Sequence, residues 1–184
     1  MRRENQPGGV RAGTRVPHHL TYLVEDLPAA ALKWHTILGV GPFLLHPHVP
    51  SEEITVGGRS AQVRHVSAFA QHGPSFVELQ LIEAFDPPSA FEQYRSLGGQ
   101  GPHHVCYVVN DVEAESLRLE GAGARCIVRA KGAGVDMAIH DGRSTFGLGI
   151  QVQQDNVRFT SFFGRVRAVA YDWDGEQLLR EFSL

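Results

Sequence analysis

Stretches with the period of a strand and stretches with the period of a helix follow one another along this chain. Residues 19–24 are apolar and rich in residues that favour strands, and Asp26 then supplies a side chain that can cap a helix. From Leu27 to Leu38 the apolar residues have helical spacing, and Gly39 provides a stop signal. The pattern predicts a strand that leads directly into a helix.

The same arrangement occurs a second time, 85 residues later. Residues 17–27 recur as residues 102–112, with six of eleven positions identical and three more related by Leu/Val exchange. The second copy predicts a strand at 104–109, a cap at Asp111 and a helix at 112–120. This offset is too long for a solenoid repeat and suits a duplicated half-domain, so we expect two pseudo-symmetric halves.

Further short strands complete each half, which predicts an α+β fold of two βαβββ modules forming a curved mixed sheet around a cleft. The predicted strands lie near 43–46, 61–70 and 75–84 in the first half, and near 126–130, 136–140 and 148–153 in the second. The predicted organisation is a mobile N-terminal tail at 1–14, a first module at 15–86, a linker helix at 87–100, a second module at 101–155 and a C-terminal helical extension at 156–184. The aromatic residues of that extension suit core or dimer contacts.

Composition narrows the class of partner. The chain has 184 residues, of which 42% are hydrophobic, and 17 basic against 20 acidic residues give a net charge of −3 without long runs of either sign. This balance argues against nucleic acid and membrane partners and favours a small-molecule ligand. Cys106 and Cys126 lie in apolar surroundings, which predicts reduced thiols and a cytoplasmic location.

Strand alternation predicts which polar side chains meet in the cleft. His19 and His104 hold equivalent positions on the first strand of each half, so the pseudo-symmetry places two imidazoles at corresponding points. Glu78 and Gln80 share one face of the last strand of the first half, and Gln151 lies on the corresponding strand of the second half. These residues are the candidates for chemistry.

Four segments together resemble the vicinal-oxygen-chelate superfamily, which includes glyoxalase I, methylmalonyl-CoA epimerase, extradiol dioxygenases and bleomycin-resistance proteins. The segments are His-His-Leu-Thr-Tyr-Leu-Val-Glu-Asp-Leu at 18–27, Leu-Gly-Val-Gly-Pro-Phe at 38–43, Glu-Leu-Gln-Leu-Ile-Glu at 78–83 and Gly-Pro-His-His-Val at 101–105. The resemblance extends over about residues 16–155 and is strongest to epimerase-like and glyoxalase-like members.

The resemblance implies a divalent metal ion, which could be Zn, Co, Ni, Mn, Mg or Fe, held by His19, Gln80, His104 and Gln151. Gln151 stands where relatives usually carry Glu; its amide oxygen can still coordinate a hard cation, but it is a poor general base. The candidate catalytic residues for proton transfer are therefore Glu78 and His140, the latter at the end of a predicted strand.

Three functions are compatible with these features. The first is a metal-dependent isomerase, epimerase or lyase acting on a small oxygen-chelating substrate such as a hydroxy or keto acid or its thioester. The second is a metal-free protein that binds or sequesters a small molecule, as bleomycin-resistance proteins do, and the third is a dimerising partner of another enzyme. Extradiol dioxygenation is disfavoured because both candidate carboxylate positions are Gln. A homodimer is expected, and the cleft can lie within one chain or across a dimer.

Overall fold

The computed structural model describes residues 16–46, 53–98, 101–132 and 134–182, so the predicted tail at 1–14 lies outside the described residues. The helices are α1 Leu27–Leu38, α2 Pro88–Arg95, α3 Val112–Gly121, α4 Arg143–Phe146 and α5 Val157–Tyr171. The strands are β1 His19–Leu23, β2 Phe43–His46, β3 Glu53–Val56, β4 Arg59–Ser60, β5 Gln62–His72, β6 Ser75–Asp86, β7 Gly101–Val109, β8 Cys126–Gly132, β9 Val135–His140, β10 Gly149–Gln154 and β11 Leu179–Glu181. None of the helices in these ranges has the length and apolar character needed to cross a membrane.

The sequence repeat extends to the helix caps. The Asp26 side chain accepts a hydrogen bond from the Ala29 backbone N–H at 2.8 Å, and Asp111 accepts one from Ala114 at 2.9 Å. Helix α1 then ends at Gly39, whose φ of +68° lies in the left-handed region that glycine tolerates. Local signals therefore start equivalent helices in the two halves.

The two modules join edge to edge within one chain. Strands β1 and β7 pair antiparallel at the centre of the sheet. Outward from that pair the order is β1-β6-β5-β2 on one side and β7-β10-β9-β8 on the other, with β1/β6 and β7/β10 parallel. This topology confirms the predicted α+β fold of two βαβββ modules in a curved mixed sheet, with the C-terminal helix in addition.

Two edge additions were not among the predicted strands. Strands β3 and β4 form a hairpin around the glycine turn Gly57-Gly58, and β3 pairs with β8 of the second module. At the opposite edge β11 pairs parallel with β2. Neither the β3/β4 hairpin nor β11 belongs to the repeat. The strand with which each one pairs therefore depends on tertiary packing and not on a local sequence pattern.

Helix α5 crosses from the end of the second module to the first. Its Phe162, Phe163 and Val166 side chains are buried against Phe69 and Phe76 of strands β5 and β6. Helix α1 packs on the other face of the same strands. The first module is therefore covered on both faces, and α5 lies on the face that carries the candidate site.

Candidate metal centre

Three buried side chains from three central strands converge at the middle of the sheet. One ligand atom from each of His19, Glu78 and His104 lies within 4.8 Å of the other two. The strand register accounts for this, because Thr21 is paired with Glu78 on one side and with His104 on the other. The three side chains are 3%, 6% and 2% exposed, respectively. The cluster is thus formed within a single chain.

The register also matches a fourth residue to the cluster. In the first module Glu78 lies two residues beyond the residue that pairs with His19. In the second module Gln151 lies two residues beyond the residue that pairs with His104. The pseudo-twofold axis therefore relates Gln151 to Glu78 and not to Gln80.

Gln80, one of the predicted ligands, is engaged behind the cluster. Its side-chain oxygen accepts a hydrogen bond from the Tyr94 hydroxyl, and its Nε2 lies 3.5 Å from Glu78 Oε1. The Gln80 oxygen is thus held by the Tyr94 hydroxyl, whereas the carboxylate of Glu78 lies with His19 and His104. Glu78 and Gln80 lie on the same face of β6, so sequence alternation does not distinguish between them.

Glu78 is held by two hydroxyl groups. Thr21 donates to Oε2 at 2.6 Å and Ser67 donates to Oε1 at 2.6 Å, while His19 Nε2 lies 3.5 Å from Oε2. Burial alone raises the pKa of this carboxyl, but His19, His104 and Ser67 together hold it well below its usual range. Glu78 is therefore ionised, and Oε2, which accepts one hydrogen bond from Thr21, keeps a lone pair for a further partner.

The two histidines of the cluster differ in charge. Burial lowers the pKa of His104 to about 3, so this ring is neutral. Burial also acts to lower the pKa of His19, but Cys106, its partner across the strand pair, and the Glu78 carboxylate raise it above its usual value. Without an ion, the cleft therefore contains a His19 imidazolium and a Glu78 carboxylate beside neutral His104.

Two buried atoms of the cleft, His19 Nε2 and Gln151 Oε1, lack a hydrogen bond of normal geometry among the described residues, although His19 Nε2 lies 3.5 Å from Glu78 Oε2. Such unsatisfied groups cost about 1–3 kcal/mol each when buried. Once His19 loses its proton, both atoms present lone pairs next to Glu78 and His104. Two imidazole nitrogens, one carboxylate and one amide oxygen are a donor set that divalent ions accept, so the residues present fit such an ion.

The cluster opens into a cleft made of two adjoining cavities of about 160 and 210 Å³. Both cavities are lined by Glu78 and Gln151, and also by His46 and His65. The smaller one is otherwise mostly apolar, whereas the larger one is bounded by the phenylalanines of α5 and by Arg158. His65 was not among the predicted site residues, although it alternates with Ser67 and Phe69 on one face of β5, a pattern from which it could have been predicted.

His140 lies on the opposite face of the sheet. Its neighbour Ile139 lines the cleft, whereas His140 is fully buried, with Nδ1 3.0 Å from the Ala124 carbonyl oxygen and Nε2 3.1 Å from Ser116 Oγ. Both of its nitrogens thus contact the outer layer around α3. The structure does not bring this predicted catalytic residue to the cluster.

Most of the chain matches a known protein family. The model of the Glyoxalase/Bleomycin resistance protein/Dioxygenase superfamily matches residues 18–140. The chain belongs to this superfamily. No curated protein matches the chain. The resemblance predicted from the repeated histidine motifs is confirmed.

Solved structures share the fold at low sequence identity. The hypothetical protein BH1468 from Bacillus halodurans C-125 has a TM-score of 0.54 at 18% identity, covering 78% of this chain and 96% of that one. Methylmalonyl-CoA epimerase from Mycobacterium tuberculosis has a TM-score of 0.51 at 19% identity, covering 79% and 91%. A Streptomyces coelicolor methylmalonyl-CoA epimerase variant in complex with 2-nitronate-propionyl-CoA has a TM-score of 0.50 at 20% identity, covering 77% and 97%.

Proposed function

We propose that this protein is a metal-dependent enzyme of the isomerase or lyase type, in which His19, Glu78, His104 and Gln151 hold a divalent ion. The observation that carries the proposal is the buried cluster of His19, Glu78 and His104, beside which His19 Nε2 and Gln151 Oε1 make no hydrogen bond of normal geometry among the described residues. A bound ion would supply Lewis acidity toward two neighbouring substrate oxygens. With an ionised Glu78 and three neutral ligands, a divalent ion leaves a net charge of +1, which favours an anionic substrate.

The cleft supports a hydroxy or keto acid, or its thioester, as the substrate class. The smaller cavity presents hydrocarbon side chains such as Val63, Ile82 and Met137, which suit an apolar substituent of the substrate. Arg158 borders the larger cavity, where a cation can attract a carboxylate. At about 160 and 210 Å³, the two cavities suit a small acyl group, so the bulk of a longer thioester would extend outward.

Proton transfer is assigned in this proposal to the histidines at the cleft wall. The sequence predicted Glu78 and His140 for this role, but Glu78 as a ligand is no longer free to accept a proton and His140 contacts Ala124 and Ser116 on the other face. His46 and His65 border both cavities and are of a residue type suited to general acid–base catalysis near neutral pH. We therefore assign the removal of the substrate α-proton to this pair.

Exchange of the substrate α-proton with solvent tests the proposed reaction. The protein is loaded with Co²⁺ or Zn²⁺ and incubated in D₂O with small 2-hydroxy and 2-keto acids and their thioesters. NMR follows the signal of the proton next to a carbonyl group, which is on C2 of a hydroxy acid and on C3 of a 2-keto acid. Exchange is expected with wild type and is expected to fall in His65→Gln or His46→Gln, while His140→Gln serves as a matched control on the other face. Metal-loaded wild type that exchanges none of these substrates would contradict the proposal.

Iron-dependent oxygenation becomes the second candidate because of one observation. The sequence assignment lacked a carboxylate, whereas the cluster of His19, His104 and Glu78 has the two-histidine, one-carboxylate composition of non-haem Fe(II) oxygenases. Oxygen uptake by the Fe(II)-loaded protein in the presence of catechols tests this candidate. A protein that binds no metal but retains aromatic ligands would instead favour the metal-free binding function.

The homodimer and the cytoplasmic location remain predictions. Sedimentation equilibrium of the purified chain tests the oligomeric state, since a dimer has twice the mass of the 20.2 kDa chain.

A further inference from the structure

We infer that His103 fixes the proton of the adjacent His104 on Nδ1 and thereby keeps His104 Nε2 open for a metal ion, with Tyr94 as the anchor of the arrangement. That His104 Nε2 binds a metal ion rests on the proposed function. The position of the proton does not, because it follows from contacts within the chain.

The chain of contacts begins at a backbone carbonyl. His103 Nε2 lies 2.8 Å from the Tyr94 carbonyl oxygen, and the His103 side chain is fully buried. A carbonyl oxygen can only accept a hydrogen bond, so His103 Nε2 carries the proton and donates it. In a neutral ring the other nitrogen, Nδ1, then has a lone pair and acts as an acceptor.

The contact between the His103 and His104 rings then determines which nitrogen of His104 carries the proton. His103 Nδ1 lies 2.8 Å from His104 Nδ1, and since His103 accepts, His104 must donate from Nδ1. Both rings are buried to 98% or more, and burial favours the neutral form of an imidazole. A neutral His104 with its proton on Nδ1 has an unprotonated Nε2, the form needed for a ligand. The repeat provides the same contact in the first module, where His18 and His19 Nδ1 atoms are 2.9 Å apart.

Tyr94 belongs to α2, the helix between the two modules, and contacts both sides of the cluster. Its ring packs on His103 with centroids 4.4 Å apart, and its hydroxyl donates to Gln80, whose Nε2 faces Glu78. The contact to His103 uses the backbone of Tyr94 and the contact to Gln80 uses its hydroxyl. Tyr94→Phe therefore removes only the second contact, which makes it a control for the first.

The proton positions can be read from the metal-free full-length chain by long-range ¹H–¹⁵N NMR with ¹⁵N-labelled histidine. In wild type, His104 is expected to show a protonated Nδ1 and an unprotonated Nε2, and His103 the reverse. His103→Phe, which cannot accept a hydrogen bond, should abolish the Nδ1 preference of His104, and His103→Gln, which can accept, should restore it at least in part. Tyr94→Phe should leave it unchanged.

A wild-type spectrum with the His104 proton on Nε2 would overturn the inference, and this readout stands even if His103→Phe does not fold. Titration with Co²⁺ alone measures the consequence for the metal. Loss of an outer hydrogen-bond partner typically weakens metal binding by about 10–100-fold, and we expect a loss in this range for His103→Phe with recovery in His103→Gln. If wild type fails to bind Co²⁺ while the NMR pattern is as expected, the proposed function fails and the inference about His103 stands.

Discussion

Binding of a divalent ion to the cleft is predicted to release one proton, which comes from His19. The pKa of His19 is raised, so its ring is charged until the ion displaces the proton from Nε2. Glu78, with a lowered pKa, and His104, with a pKa of about 3, have no proton to lose above about pH 5. One released proton makes the affinity rise about tenfold per pH unit, equivalent to about 1.4 kcal/mol.

The sign follows from the raised pKa. A raised pKa means that His19 holds its proton more tightly in the folded metal-free protein than in the unfolded chain. The ion must displace this proton, so protons compete with the ion most strongly at low pH. The competition fades as the pH rises through the pKa of His19. Between pH 5.5 and 7.5 the Co²⁺ affinity should thus increase about 100-fold.

Competition with a chelator at several pH values measures this slope, and calorimetry in two buffers of different ionisation enthalpy counts the released protons. Glu78→Gln is the control, because loss of the carboxylate removes one of the groups that raise the pKa of His19 and the slope should shrink. A wild-type affinity that does not depend on pH in this range would refute the reasoning. Release of two protons would mean that His104 is also charged.

Other predictions concern the scaffold. Phe163→Ala should lower the free energy of unfolding by about 3–5 kcal/mol, because this buried ring stacks on His19 with centroids 5.7 Å apart, and a loss below about 1 kcal/mol in urea unfolding would contradict the account of α5. His140→Gln should lower the free energy of unfolding by about 1–3 kcal/mol yet leave the Co²⁺ affinity unchanged. A loss of Co²⁺ affinity would show that His140 does contribute to the metal site. Asp26→Ala and Asp111→Ala should each lower the free energy of unfolding by about 1 kcal/mol. Clearly different losses of stability for the two variants in thermal unfolding would argue against equivalent caps.

The module fold could be predicted because its signals are local and occur twice. Helix α1 was predicted at 27–38 and has those bounds, since its apolar spacing lies between a capping Asp26 and a terminating Gly39. The strands of the repeat likewise lie where alternation and turn residues predicted them, with ends that differ by a few residues. The second copy then identified the pseudo-symmetry without any knowledge of packing.

The pairing register of the strands could not be predicted from the sequence, and the register determines which side chains lie next to one another. Alternation places Glu78 and Gln80 on one face, but the pairing of Thr21 with Glu78 and His104 decides which carboxylate or amide meets the imidazoles, and pairing register is a tertiary property. The face of β9 was equally undetermined, so His140 was expected in the cleft from which its side chain points away.

Metal content of matched variants tests the central claim most directly. Elemental mass spectrometry is applied to wild type, Glu78→Met and Gln80→Met after expression with each of several divalent metals, followed by dialysis. The account predicts near one ion per chain in wild type, retention of the ion in Gln80→Met and its loss in Glu78→Met. A wild-type protein without metal under every supply, or loss of the ion in Gln80→Met with retention in Glu78→Met, would contradict it.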